Sequence, residues 1–257
     1  MGSQPPRAAE WTMGTLLLLR HGESTFNAAK VFTGLLDAEL APTGEAQLRT
    51  AAKLISDAGL VPDVLWRSTM IRAKRTTDLL LTELGLNEVP VEASWRLVER
   101  AYGCFTRLPK AEARARYGDE LFFEWRRTMH GRPPAADPDV VGTWTDPSPV
   151  TDRGPLEAGV GESLADVAER VSALWRGSIS RHLQEGQTAF VISHGNTLRA
   201  LASVALGLTD AQVEHLNIPA GHPLVVSYAD GILGRPHYLD GPTAQAAADA
   251  VAAEGGT

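Results

Sequence analysis

The chain has 257 residues, 44% of them hydrophobic and 21% charged, which are ordinary globular values and exclude a fibrous or intrinsically disordered chain. Its 31 acidic and 24 basic residues give a formal net charge of -7, so nothing global draws it to nucleic acid or to an anionic membrane, and any bound anion needs a local basic pocket. Cys104 is the only cysteine, which excludes an internal disulfide, and no apolar run approaches the roughly 20 residues of a membrane-spanning helix; a cytoplasmic protein with no membrane partner is expected.

Residues 1–14, MGSQPPRAAEWTMG, lack an apolar signal core and read as a disordered leader. Thr15 to Leu19 form a short apolar segment that stops at Arg20 and His21, as expected of a strand covered on both faces. Leu48, Ala51, Ala52 and Ile55 fall at helical spacing and predict an amphipathic helix, with Thr43 as its N-cap and Gly59 beyond its end. A strand around Asp63 to Trp66 and a helix from about Thr69 to Leu84, closed by Gly85, come next. The segment from Glu99 to Arg127 is rich in Arg and Lys, and Gly131 to Gly161 carries six prolines with little periodicity, so residues 99–162 are expected to form a lid or insertion over a site.

The strand and helix rhythm then returns. Leu164, Val167, Val171 and Leu174 mark one helix face, TAFVIS (Thr188 to Ser193) is a buried strand, a helix begins near Asn196, and LVVSYA (Leu224 to Ala229) is a final strand. This alternation implies an α/β protein with a parallel sheet flanked by helices, organised as one catalytic domain over residues 15–240. Residues 241–257, nearly all small or polar, are expected to be a flexible and at most weakly helical tail.

In open parallel sheets ligands bind beyond the carboxyl ends of the strands. His21 and His194 both directly follow an apolar strand and precede a glycine, and each is expected to open a helix whose amides favour anions. His130, His182, His215, His222 and His237 have no such placement and read as ordinary core or surface residues. Arg20 beside His21, and Arg72 at the start of the helix after the second strand, supply guanidinium forks suited to a phosphoryl group. The sequence has no HExxH, CxxC or His-x-His, no P-loop, no GxGxxG and no GxSxG, which argues against a metal, a nucleotide site of those types and a serine nucleophile.

RHGEST (Arg20 to Thr25), FTGLLDAELAPTGEAQ, STMIRAKRT, WRLVERAYG, LPKAEARARYGDE, EWRR, GESL, SHGNTLRAL and LNIPAGHPLV occur in this order along nearly the whole chain. This series closely resembles the histidine phosphatase superfamily, and in particular its branch of 2,3-bisphosphoglycerate-dependent phosphoglycerate mutases. The resemblance implies a doubly wound, mostly parallel sheet with helices on both faces. It also implies a phosphohistidine at His21, a phosphate pocket of Arg20, Arg72 and His194, and a proton-transferring Glu99. Asn27, Thr33, Gly34 and Asn196 match positions that hold phosphate or substrate, and Tyr102, Lys110, Arg126 and Arg127 match residues that clasp the rest of a small phosphorylated carboxylate. The cofactor implied is 2,3-bisphosphoglycerate as phosphoryl primer, without a metal, in a homodimer or homotetramer.

The sequence departs from the mutase pattern around the expected mouth, where Ala101 replaces a histidine, Arg107 stands where glycine is usual, and Pro109 precedes Lys110. Three readings follow. The first is a mutase interconverting 3- and 2-phosphoglycerate, an isomerase of glycolysis and gluconeogenesis. The second is a phosphatase for a small phosphorylated acid or sugar. The third is a non-catalytic phospho-ligand binder, which would have no need to keep His21, Arg20, Arg72, Glu99 and His194 together.

Overall fold

A computed structural model describes residues 13–145 and 147–253; most of the expected leader and the last four residues of the expected tail lie outside the described residues. Among the described residues seven strands make one sheet: β1 (Gly14–Arg20), β2 (Val64–Ser68), β3 (Val91–Ser94), β4 (Thr188–Ser193), β5 (Leu224–Ala229), β6 (Ile232–Leu233) and β7 (His237–Tyr238). Their order is β3-β2-β4-β1-β5-β6, with β7 also paired to β5. β1 to β4 are mutually parallel, whereas β5 runs antiparallel to β1, in register from Gly14 opposite Tyr228 to Leu18 opposite Leu224. An apolar run such as LVVSYA cannot disclose its direction, because parallel and antiparallel strands bury the same side chains.

The helices are α1 (Thr25–Ala28), α2 (Pro42–Asp57), α3 (Ile71–Leu84), α4 (Lys110–Arg127), α5 (Pro138–Val141), α6 (Leu164–Leu174), α7 (Ser180–Gln184), α8 (Gly195–Leu206), α9 (Asp210–His215) and α10 (Gly241–Ala253). The sheet is covered on both faces because successive strand residues point opposite ways. Leu17 and Leu19 of β1, with Phe190 and Ile192 of β4, pack on Leu48, Ala52 and Ile55 of α2 and Leu80 of α3. Leu16 and Leu18, with Ala189 and Val191, pack on Val167 and Val171 of α6, Leu183 of α7 and Leu198 of α8. This is the expected doubly wound α/β arrangement. A π-helical turn, Trp175–Ile179, carries α6 into α7 and buries Trp175 and Ile179.

Two local expectations are corrected, the N-cap of α2 and the flexible tail. α2 has Ala41 as N-cap and Pro42 as first residue, so Thr43 lies inside the helix, and its hydroxyl donates to the Glu23 carboxylate. The basic segment after Glu99 contains a full helix, α4, broken only at Gly118, whose φ of 80° suits glycine. Residues 241–253 form α10, with Ala244 and Ala248 buried: alanine has the highest helix propensity, and its short side chain permits close packing. Over the sheet edge, Phe32, Tyr102, Phe105 and Phe122 form a separate aromatic cluster that binds the 99–127 segment to the loop after α1.

Candidate active site

Because β1, β2 and β4 are parallel, their carboxyl ends share one edge of the sheet, and Arg20-His21, Ser68 and Ser193-His194 meet there. The rings of His21 and His194 have centroids 4.9 Å apart and are inclined at 62°. His21 is 2% exposed and His194 fully buried. His194 caps α8 as expected, but α1 starts only at Thr25, so His21 does not itself open a helix. Gly22 follows His21 and packs against α2, where a Cβ on it would lie 2.6 Å from the Gly44 carbonyl oxygen.

Hydrogen bonds assign the tautomers. The Gly22 carbonyl can only accept, so His21 Nδ1 carries the proton and donates to it at 2.6 Å, leaving a lone pair on Nε2. Arg72 Nε donates both to that Nε2, at 3.3 Å, and to His194 Nδ1, at 3.2 Å. His194 Nε2 therefore holds the proton and donates to Ser68 Oγ at 2.9 Å. The rest of the Arg72 guanidinium donates to the carbonyls of Leu36 (2.8 Å) and Gly34 (3.2 Å). Burial first, and the Arg72 charge second, hold the pKa of both imidazoles well below the ordinary histidine value, so both are neutral at pH 7. Burial also lowers Arg72 to about 10, against the opposing effect of Glu99 and Asp37.

His21 and Arg72 border an inner cavity of about 40 Å³ lined also by Arg20, Asn27, Thr33, Gly34, Glu99, Tyr102, Lys110 and Arg126, together with Val31 and Phe32. Asn27 is oriented by a capping box with Ser24. Gly34 has φ 53° and lies against the Tyr102 backbone. The Glu99 carboxylate accepts from the Arg100 amide at 2.7 Å and faces Asn196 Nδ2 at 3.4 Å. Asn196 lies behind the wall, donating to the Tyr102 hydroxyl at 2.7 Å. The Arg126 guanidinium stacks near Phe32 and Phe122, 5.0 and 4.7 Å from their ring centroids. An outer vestibule of about 250 Å³ shares Arg20, Asn27 and Lys110 with the inner cavity and is walled by Ala247, Ala250 and Val251 of α10.

Three of the expected site residues do not line this cavity: His194, which Arg72 and Ser68 hold beside His21, Asn196, and Arg127. Arg127 turns away from this cavity, and its Nη2 donates to the carbonyls of Glu214 and Leu216, because neighbouring residues of a helix lie about 100° apart and cannot face one cavity together. Sequence reasoning missed several supports. Ser68 ends β2 as Arg20 ends β1, a positional signal that was available. Arg100, which donates to the carbonyls of Glu162, Arg126 and Gly131, carries no signal outside the fold. Nor do Glu162 and Arg170, which pair at 2.9 Å while Glu162 also accepts from the Ala101 amide. Among the described residues no group of three or more His, Cys, Asp and Glu is placed to hold a metal ion, and no helix is long and apolar enough to cross a membrane.

Residues 16–232 match the family model of the histidine phosphatase superfamily (branch 1). The chain belongs to this superfamily. A 2,3-bisphosphoglycerate-dependent phosphoglycerate mutase of Thermobifida fusca is 41% identical over 247 residues, covering 95% of this chain and 100% of that protein. One of Nitratidesulfovibrio vulgaris is 42% identical over 95% of this chain and 98% of its own length. In fold, the chain is similar to a mycobacterial glucosyl-3-phosphoglycerate phosphatase, with TM-score 0.63 and 22% identity over 84% of this chain and 90% of that one. It is also similar to YhfR of Bacillus stearothermophilus, with TM-score 0.64 and 20% identity over 86% and 94%. Membership makes the chain a histidine-phosphatase-type enzyme for a small phosphorylated substrate, and the neutral imidazole of His21 suits the phosphohistidine chemistry of that superfamily.

Proposed function

We propose that the chain is a phosphoglycerate mutase that moves a phosphoryl group between the 3- and 2-hydroxyls of glycerate by way of phospho-His21, primed by 2,3-bisphosphoglycerate. The observation that carries this reading is the charge of the inner cavity, where Arg20, Arg72, Lys110 and Arg126 stand against one carboxylate, Glu99. Such a lining suits a small ligand with several negative charges, a carboxylate as well as phosphate. His21 Nε2, unprotonated and accepting only the N–H that Arg72 shares with His194, is the nucleophile. Arg72 Nε shifts its hydrogen bond from the imidazoles to the phosphoryl oxygens as charge develops on them, with Arg20 and His194 beside it. Glu99 gives a proton to the departing hydroxyl and later recovers it, and Asn27, Thr33, Gly34, Tyr102, Lys110 and Arg126 hold the remainder of the substrate, with Asn196 positioning Tyr102. The named activity of the relatives at 41% and 42% identity supports the same assignment.

Hydrolysis of a small phosphorylated acid or sugar is the second reading, and the vestibule favours it. Its 250 Å³ reach Arg20, Asn27 and Lys110 and offer water a route toward phospho-His21. One assay separates the two: purified protein with 3-phosphoglycerate, with and without 2,3-bisphosphoglycerate, followed for 2-phosphoglycerate and for free phosphate. Formation of 2-phosphoglycerate that depends on the bisphosphate supports the mutase. Release of phosphate from many esters with no 2-phosphoglycerate replaces it by the phosphatase.

A further inference from the structure

Among the described residues only three other than glycine hold a left-handed φ: Lys30 at 56°, Arg107 at 69° and Asp230 at 56°. Asp230 precedes Gly231 in the tight turn between β5 and β6, where aspartate is an ordinary occupant. Lys30 and Arg107 are long cations, and they stand at the mouth of the inner cavity. Residues 30–32 and 107–110 pair as a short antiparallel ribbon: the Arg107 N–H donates to the Phe32 carbonyl at 2.9 Å, the Phe32 N–H to that of Leu108 at 3.0 Å, and the Lys110 N–H to that of Lys30 at 2.9 Å. Val31, Phe32 and Lys110 of this ribbon line the cavity. Arg107 is exposed, and its guanidinium makes no hydrogen bond or ion pair with a described residue. Glycine takes such a φ without strain, so neither packing nor hydrogen bonding gives a reason for arginine here. Backbone strain of this kind clusters at ligand sites, where it serves function.

What arginine adds at this position is charge. The chain carries a net charge of -7, which repels a ligand of several negative charges until that ligand reaches the cationic cavity. Lys30, Arg107 and Lys110 on one ribbon oppose that repulsion at the mouth, where the acid lining the adjoining vestibule is Glu23. Attraction to such a rim grows with ligand charge, so it favours a polyanion over a phosphate ester of a neutral alcohol before either enters the pocket. We propose that Arg107, assisted by Lys30, is a capture residue, which speeds the entry of polyanionic substrate and sets the preference for it without touching the reacting atoms. This role rests on the polyanionic ligand proposed above and extends its recognition to a residue outside the cavity lining.

Steady-state kinetics of the full chain and its Arg107→Gly, Arg107→Lys and Arg107→Glu variants test the role, with primed 3-phosphoglycerate and with p-nitrophenyl phosphate. At an ionic strength of about 0.01 M, where charges act over about 30 Å, Arg107→Gly should lower kcat/KM for 3-phosphoglycerate about three- to tenfold, and Arg107→Glu by about the square of that factor. The loss for p-nitrophenyl phosphate, which carries one negative charge fewer, should be smaller. Both losses should shrink below about twofold at about 1 M, where the screening length is about 3 Å. Arg107→Lys should keep the parental kcat/KM, and kcat should stay as in the parent throughout. The melting temperature of Arg107→Gly should not fall, because glycine relaxes the backbone there. An unchanged kcat/KM in Arg107→Glu at low salt, a loss indifferent to salt, or a loss carried by kcat overturns the proposal. Capture precedes transfer to either acceptor, so the comparison is read in 2-phosphoglycerate for a mutase and in free phosphate for a phosphatase. Failure of the mutase reading is thereby seen in the parent, and failure of capture only in the variants.

Discussion

Arg72 divides one N–H between two imidazoles, and the hydrogen bond from His21 Nδ1 to Gly22 leaves Nε2 as the attacking atom. The phosphoenzyme should therefore carry its phosphoryl group on Nε2 of His21, seen as the Nε2 isomer in nitrogen-coupled NMR; label on Nδ1, on His194 or on a serine would contradict the tautomer assignment. The same burial has a pH signature. Both histidines have folded pKa values depressed well below 6.5, so the unfolded chain binds more protons as acid is added. Their contribution to stability is complete above the unfolded pKa and is lost as pH falls below it, by up to about 1.4 kcal/mol per pH unit for each histidine. Urea melts between pH 7.5 and 5 should show a steeper loss in the parent than in His194→Gln. Glu99→Gln keeps an acceptor for the Arg100 amide but removes the proton, so turnover should fall about 10² to 10⁴ with much smaller change in phosphate affinity, measured by steady-state kinetics and titration.

At the scale of elements, the site exists because three parallel strands end at one edge and two tight turns follow them. The Gly22 turn leaves no room for a side chain against α2. Gly22→Ala should therefore destabilise the fold by about 1 to 3 kcal/mol through overpacking, read as a lower urea midpoint at unchanged slope, and should displace His21 enough to lower phosphorylation. Strands β1 and β4, and helices α6 and α8, are legible from their apolar spacing alone, since their buried faces repeat at two residues or at three and four. β3 is not, because three of its four residues are exposed and its pairing to β2 is a matter of backbone hydrogen bonds. β6 and β7 are two residues each, too short to show any period.

Across the whole molecule, a chain of net charge -7 buries six arginines, Arg72, Arg100, Arg126, Arg127, Arg170 and Arg199, and only two acids, Glu99 and Glu162, among its described residues. Charge of one sign is costly inside a protein unless something compensates it, here backbone carbonyls and, in the working enzyme, the substrate's anions. A phosphate or vanadate at 100 times its dissociation constant should stabilise the fold by about 2.7 kcal/mol, a rise in melting temperature of about 5 to 10 °C that sodium chloride of equal ionic strength does not reproduce. Absence of that rise would leave the inner cavity without its anion. The strand-ending histidines and their arginines stand out in the chain because strand, charge and glycine adjoin there in sequence. The role of Glu99, one of 31 acidic residues, came only from the family resemblance. Which way Arg126 and Arg127 face, and which backbone carbonyls the buried arginines hold, was decided by tertiary structure alone. Both depend on partners up to 89 residues away, and local spacing carries no information about a contact of that range.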